Sequence, residues 1–227
     1  MRPRHSRRAL GPALAAGIAL SAAAIGFTAA GCSATKLRVH ATGLPLPWCK
    51  PGDARSSIAV YWGTAWRADQ KEAAEREAIA DATISRFFAT NPCYETLVVA
   101  RTVRDRSALL LSDEEIVAAA QAAAGDVDQV AVIRIEELGP NLRLYVSPIL
   151  WSTENEVQLN ARLLDPRTGW LDGDVSIARL RGGAFTFNGT GELCADLWGA
   201  LGEVFGGDRA PDSHPGRPLE GAPATRR

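Results

Sequence analysis

Hydrophobic and polar residues along the chain follow two periods, and the change from one period to the other predicts the elements. Residues 58–62 and 96–100 are short apolar runs, which are typical of buried strands. In residues 68–90 and 112–125, apolar residues recur every three or four positions, as on the buried face of a helix. Ser112 and Glu115 have the spacing of a capping box at the start of the second helix. The first half of the domain is therefore predicted as strand, helix, strand, helix.

Strand patterns dominate the second half. Residues 130–135 are apolar on both faces except at Arg134, as expected of a central strand. Residues 142–147, 157–163 and 170–180 follow, and the first two of these alternate between apolar and polar positions. A final amphipathic helix ends at Gly206. The predicted order is β-α-β-α-β-β-β-β-α. This is an α/β fold whose mixed sheet starts parallel, continues as an antiparallel meander, and carries helices packed on it.

Outside this domain the composition changes. Residues 32–56 contain three prolines and two glycines and are predicted to be a tether. Residues 57–206 form the single α/β domain. Residues 207–227 hold four prolines and almost no large apolar residue, which predicts a disordered tail.

The amino-terminal segment, residues 1–31, has the composition of an export signal. It opens with four arginines, has no charge from residue 9 to residue 31, and ends in Ala29, Ala30 and Gly31. Cys32 follows, and this arrangement resembles the lipobox of bacterial lipoproteins. The resemblance implies that the signal is cleaved before Cys32 and that its thiol and new amino terminus are acylated. Several acyl chains give stable anchoring. A retained transmembrane span, or cleavage without lipid, is the alternative.

Two details of export and sorting follow from the same segment. Ser33 after the cysteine implies, by resemblance, sorting to the outer membrane on its periplasmic side. Arg7 and Arg8 also resemble a twin-arginine motif, so the choice between that export route and the general one stays open.

Charge and residue content exclude several functions. Without residues 1–31 the chain has 25 − 4 = 21 basic and 26 acidic residues, a net charge of −5, which argues against nucleic acid as a partner. The predicted domain has no histidine, so a zinc site and the commonest general base are both missing. Glu136 and Glu137 are adjacent on a strand and point to opposite faces, so they make a poor acid–base pair. We expect no enzyme, no metal and no cofactor.

Three cysteines remain beside Cys32, and an oxidising compartment favours one disulfide among them. Cys49 precedes the first predicted strand, Cys93 precedes the second, and Cys194 opens the last helix. The predicted topology places all three at one end of the sheet. We predict a bond between Cys49 and Cys93, with Cys93 and Cys194 as the alternative.

The loops after the first two strands are the predicted docking surface. In a sheet with parallel strands, ligands favour the carboxyl ends of the strands. Trp and Arg are enriched among the residues that dominate interface energies. The candidate partner-binding residues are Trp62, Trp66, Arg67, Arg104 and Arg106. The alternative is that the Trp rings cover the core and the arginines pair with acids. Trp151 and Trp170 are predicted to pack in the core or between strands.

Two short segments resemble those of known envelope domains: Gly125-Asp126-Val127-Asp128-Gln129-Val130, and Leu163-Leu164-Asp165-Pro166-Arg167-Thr168-Gly169. Similar steps occur in the amino-terminal domain of the Tol–Pal propeller protein and in lipoproteins of the curli-secretion and peptidoglycan-synthase-activator kinds. The resemblance implies a non-catalytic binding or assembly module whose partner is another envelope protein, with the membrane reached through the lipid anchor. The alternative is a periplasmic carrier of lipids or small molecules, which would need a cavity of several hundred Å³.

Overall fold

The computed structural model describes residues 34–50, 52–67, 70–103, 112–144, 151–182 and 189–207. The chain divides into two units, Met1–Gly31 and Cys32–Arg227, and every described residue belongs to the second. The predicted signal, Cys32 and residues 208–227 lie outside the described residues.

One mixed sheet and three helices make up the described domain. In chain order the elements are β1 (Ala34–Gly43), β2 (Ser56–Thr64), α1 (Ala73–Thr90), β3 (Tyr94–Val103), α2 (Asp113–Ala124), β4 (Gln129–Leu144), β5 (Trp151–Leu164), β6 (Leu171–Gly182) and α3 (Leu193–Phe205). The strands lie in the order β1-β6-β5-β4-β2-β3. β2 is parallel to β3 and β4, and the other pairs are antiparallel. The predicted α/β class, with a mixed sheet and helices packed on it, is confirmed.

The two faces of the sheet are covered unequally. α1 and α3 pack on one face, where the larger core includes Trp62, Phe87 and Leu159. α2 packs on the other face over a smaller core around Tyr61 and Val130. The Ser112 capping box at the start of α2 is present: its hydroxyl accepts from the Glu115 backbone, and the Glu115 carboxylate accepts from the Ser112 backbone. The local signal was therefore sufficient to define where this helix begins.

The prediction of a tether over residues 32–56 is wrong, because this segment contains β1 and the start of β2. Leu37 and Val39 alternate with Lys36, Arg38 and His40, which is the period of a strand. β1 pairs along its whole length with β6, from Ala34 against Gly182 to Gly43 against Gly173. The three prolines that suggested a tether follow this strand. Its partner lies about 140 residues later in the chain, so no local signal identified the pairing.

The two strands predicted at residues 130–135 and 142–147 are one strand, β4, with a bulge at Glu136. Gly139 and Pro140, which resemble a turn, are tolerated because β2 pairs with β4 only as far as Ile135. Beyond that residue β4 is hydrogen-bonded on one side only, and a strand with an unpaired side tolerates proline, which has no N–H to donate. A Cβ at Gly139 would lie 1.5 Å from the Arg76 guanidinium, so glycine leaves room for that side chain.

The loss of one predicted strand moves α3 to the other end of the sheet. We define the upper end of the sheet as the one at which β1 and β5 start and at which β2, β4 and β6 finish. The opposite end is the lower end. An odd number of strands follows α2, so β6 runs upward and α3 starts at the upper end, where Arg181 pairs with Asp196 at 2.9 Å. The prediction that Cys194 lies at the same end as Cys49 and Cys93 is therefore wrong.

Candidate binding surfaces

Trp62 does not lie on an exposed loop. β2 continues to Thr64, so strand alternation directs Trp62 into the larger core, where it is 1% exposed. The Arg101 guanidinium carbon lies 5.4 Å from the centre of its ring, a distance at which a cation and an aromatic face attract each other. Docking through Trp62 would require an exposed ring, and that expectation is wrong. The ring lies in the core, as the alternative stated.

Trp66 and Arg101 are joined through the carboxylate of Glu77. Glu77 accepts hydrogen bonds from the Thr64 hydroxyl and the Trp66 indole, each at 3.2 Å, and pairs with Arg101 at 2.7 Å. Partial burial acts to raise the pKa of Glu77, but Arg101 and the two neutral donors together bring the pKa below its ordinary value. Trp66 is half-buried against the larger core. This part of the predicted patch is a structural network at the upper end.

Arg67 belongs to a second network around Glu137. The Glu137 side chain is buried and pairs with Arg67 at 3.2 Å and with Arg76 at 3.5 Å, and it accepts from Gln70 at 2.9 Å. Arg76 also donates to the Leu138 carbonyl at 2.6 Å. Of the predicted docking residues that the structure describes, Arg67 is the one with a largely exposed side chain.

Arg104 and Arg106, the other predicted docking arginines, lie outside the described residues, and docking through them stays a prediction.

The disulfide prediction is confirmed. Cys49 and Cys93 are bonded across 44 residues of sequence, with their Cα atoms 6.1 Å apart, and Cys194 is a free thiol. The alternative bond between Cys93 and Cys194 is wrong, since these residues lie at opposite ends of the sheet. The bond fixes the segment after β1 to the start of β3 at the lower end.

Trp170 is the most exposed large hydrophobic residue among the described residues, at 76% of its surface. The prediction that it packs in the core or between strands is wrong, and the side chain of Trp151, for which the same was predicted, lies outside the described part of the structure. It follows the turn between β5 and β6 and precedes the first residue of β6, so strand alternation does not direct it inward. Two hydrogen bonds of its backbone fix its position, one to backbone and one to a side chain. The Asp165 amide donates to the Trp170 carbonyl at 3.0 Å, and the Trp170 amide donates to the Thr168 hydroxyl at 3.3 Å.

Two further apolar residues are exposed at the same lower end. Leu171 and Leu44 are each more than two-fifths exposed. The Leu44 amide donates to the Asp172 carbonyl at 3.0 Å, which holds the segment after β1 beside the start of β6. Gly43, with φ of +82°, permits this approach, because a Cβ there would lie 2.2 Å from the Asp172 oxygen. We call Trp170, Leu171 and Leu44 the lower apolar surface.

A groove of about 360 Å³ lies between α1 and β3. Phe88, Leu97 and Val99 supply apolar wall, and Arg55 and Glu95 supply charge. The groove is open to solvent along the edge strand and is not enclosed between the sheet and the helices. Its volume is in the range of small-molecule sites, but an open and partly charged groove buries less of a ligand than a carrier cavity does.

Two searches of the described residues bear on metals and membranes. Within the described ranges, no three side chains of His, Cys, Asp or Glu are grouped so that they could hold a metal ion. Of the helices in those ranges, none has the length and apolar character needed to cross a bilayer.

Comparison with solved structures finds distant likenesses. A PelC dodecamer from Paraburkholderia phytofirmans aligns with 15% identity over 77% of this chain and 100% of that chain, with a TM-score of 0.42. Lipoprotein GNA1162 from Neisseria meningitidis aligns with 17% identity over 64% of this chain and 94% of that chain, with a TM-score of 0.40. Neither a family model nor a curated protein matches the chain. Because both TM-scores are below 0.5, these likenesses carry no argument about function.

Proposed function

We propose that this chain is a lipoprotein, anchored through Cys32 to the outer membrane on its periplasmic side, that binds another envelope protein and catalyses no reaction. The lower apolar surface is the docking site. The observation that carries this proposal is the exposure of Trp170 on a turn that hydrogen bonds hold in place. Tryptophan is enriched among the residues that dominate interface energies, and a large exposed ring has no role in the core of the free protein.

Burial of Trp170 would supply a substantial part of the energy that specific binding needs. A buried Trp side chain covers about 150–250 Å², so burying the exposed three-quarters of Trp170 removes roughly 150 Å² from water. At about 25 cal/mol per Å², this contributes about 4 kcal/mol before the costs of association. The turn is already ordered, so little conformational entropy is lost on binding. Leu171 and Leu44 add apolar area on the same end of the sheet.

The test is photo-crosslinking in intact cells. A photoreactive apolar residue replaces the exposed Leu44, which keeps the Thr168 hydroxyl that holds the Trp170 amide, and crosslinked products are compared in the parent chain, in Trp170→Ala and in Arg167→Ala. Arg167 is the matched control, because its side chain lies on the same turn and is 80% exposed. We expect a defined protein adduct that Trp170→Ala loses and Arg167→Ala keeps. An adduct that persists in Trp170→Ala would contradict docking at this surface.

The lipid anchor is tested separately from docking. Metabolic labelling with a fatty acid should mark the chain, and Cys32→Ser should abolish the label and release the chain from the membrane fraction. Unchanged labelling in Cys32→Ser would contradict the anchor.

The groove between α1 and β3 supports a second candidate function, a carrier of lipids or small molecules. Phe88 and Leu97 in its wall would contact the apolar part of a ligand. Native mass spectrometry of the purified chain tests this: a bound small molecule that Leu97→Glu displaces would favour the carrier, and its absence would favour the docking module.

A further inference from the structure

The upper end of the sheet lies next to the residue predicted to carry the lipid. β1 begins at Ala34 and is paired from this first residue with Gly182 of β6. Cys32 is two residues earlier in the chain, and two residues span at most about 7 Å. A tether of 25 residues would have allowed the domain to move tens of ångströms from the membrane. The position of β1 removes that freedom, so this end of the domain stays at the membrane surface.

The pair β4 and β5 extends beyond the start of β1 in the same direction. The Cα of Glu154 lies beside Gly182, which is level with Ala34. From Glu154 the paired strands continue for three more residues, to the last pair, Trp151 with Leu144. At about 3.3 Å per residue this extension is roughly 10 Å, which is more than the roughly 7 Å that the chain from Ala34 to Cys32 can span. The paired ends of β4 and β5 therefore reach at least as far toward the membrane as the anchor residue.

The charge of β1 complements anionic lipid. Lys36 and Arg38 are exposed, and β1 contains no acidic residue. After Cys32 the first acid in the sequence is Asp53, although the chain from Cys32 onward is acidic as a whole. Basic residues next to a membrane anchor are attracted to anionic headgroups. β1, the strand that follows the anchor residue, thus brings basic and no acidic side chains next to the membrane.

We infer that the upper end of the sheet is a membrane-contact surface, in which the paired ends of β1, β4, β5 and β6 lie against the headgroups of the membrane that holds Cys32. The inference rests on the proposed lipid anchor. It also fixes the orientation of the domain. The ten residues of β1 span roughly 33 Å, so the lower end, with Trp170, is held about that far from the bilayer. The lower apolar surface then faces the aqueous compartment, where a protein partner can reach it.

The test measures the distance of single labelled positions from the bilayer. Acylation blocks the thiol of Cys32, and the disulfide leaves none at Cys49 or Cys93. Cys194→Ser therefore gives a full-length lipidated chain without a free thiol. A fluorophore is attached to one introduced cysteine at a time. The chain is reconstituted into phosphatidylethanolamine vesicles with about one quarter phosphatidylglycerol and a trace of headgroup-nitroxide lipid that quenches nearby fluorophores.

Four positions form two matched pairs. Thr35→Cys and Ser152→Cys lie at the upper end, and Thr42→Cys and Thr168→Cys lie at the lower end. We expect emission to fall about twofold or more at the two upper positions and to change little at the two lower ones. A headgroup nitroxide quenches only fluorophores close to the lipid layer, which is roughly 45 Å thick with its headgroups.

Each other outcome overturns the inference. Quenching at Thr35 without quenching at Ser152 would show that the strand pair β4–β5 stands clear of the lipid. Quenching at all four positions would show that the domain lies flat. If the label at Ser152→Cys were unquenched and the Ser152→Cys chains crosslinked to one another, this end would instead be a contact between two copies of the chain. Failure of the protein to float with the vesicles would refute the lipid anchor itself, and with it the inference.

Discussion

Removal of Arg76 should destabilise the domain strongly, because it leaves a buried carboxylate poorly paired. Arg76 and Glu137 are 5% and 4% exposed, and their charged groups lie 3.5 Å apart. In Arg76→Met the methionine fills most of the apolar volume, but Glu137 loses a cation and the Leu138 carbonyl loses its donor at 2.6 Å. Breaking a buried ion pair from one side costs about 3–5 kcal/mol. Arg67 still pairs with Glu137 at 3.2 Å, so we place the loss near 3 kcal/mol.

The assay is urea denaturation of the chain from residue 33, made without lipid and with the disulfide intact. Arg86→Met is the matched control, because Arg86 is an exposed arginine on the same helix, and it should change the free energy of unfolding by less than about 0.5 kcal/mol. Adding Glu137→Leu to Arg76→Met should recover much of the loss, since an apolar pair needs no desolvated charge. If Arg76→Met costs no more than Arg86→Met, the ion pair does not hold the start of α1 against β4.

Two further predictions concern the disulfide and a buried acid. Cys93→Ser should lower the free energy of unfolding by about 4 kcal/mol, because the bond with Cys49 closes a long loop in the unfolded chain, whereas Cys194→Ser should have little effect. Equal losses in the two variants, measured by urea denaturation, would refute this reasoning. Burial, the largest influence, raises the pKa of Asp196 despite hydrogen bonding by Asn155 and the charge of Arg181. A raised pKa means that stability is lost as pH rises through the folded-state value, so Asp196→Asn should gain stability relative to the parent between about pH 4 and pH 7. A difference that stays constant over this range would contradict the assigned environment.

The sequence by itself determined the elements whose signals are local. The capping box at Ser112 and Glu115 set the start of α2, and the apolar periods identified α1 and α3, because a helix completes its hydrogen bonds within a few residues. The same patterns were enough for the α/β class and a mixed sheet. The cysteine positions, combined with the first two strands, favoured the pairing of Cys49 with Cys93, but only the folded chain excluded Cys194 as the partner of Cys93.

Tertiary structure decided the features that depend on distant partners. β1 forms because β6 offers it an edge, and β4 runs through Gly139 and Pro140 because β2 ends beside it. The local sequence contains neither fact. Because β4 is one continuous strand, three strands follow α2, and this number sets the direction of β6 and the end at which α3 begins.

The candidate surfaces depend on the same long-range pairings. Trp62 is buried and Trp170 is exposed, although both are tryptophans at strand ends in the sequence. The difference arises because β2 continues past Trp62 under two helices, whereas β6 begins after Trp170. A residue type and its local period specify what a side chain can do. Strand pairing decides which face it occupies and whether another element covers it, and this is why the docking surface could be located only in the folded chain.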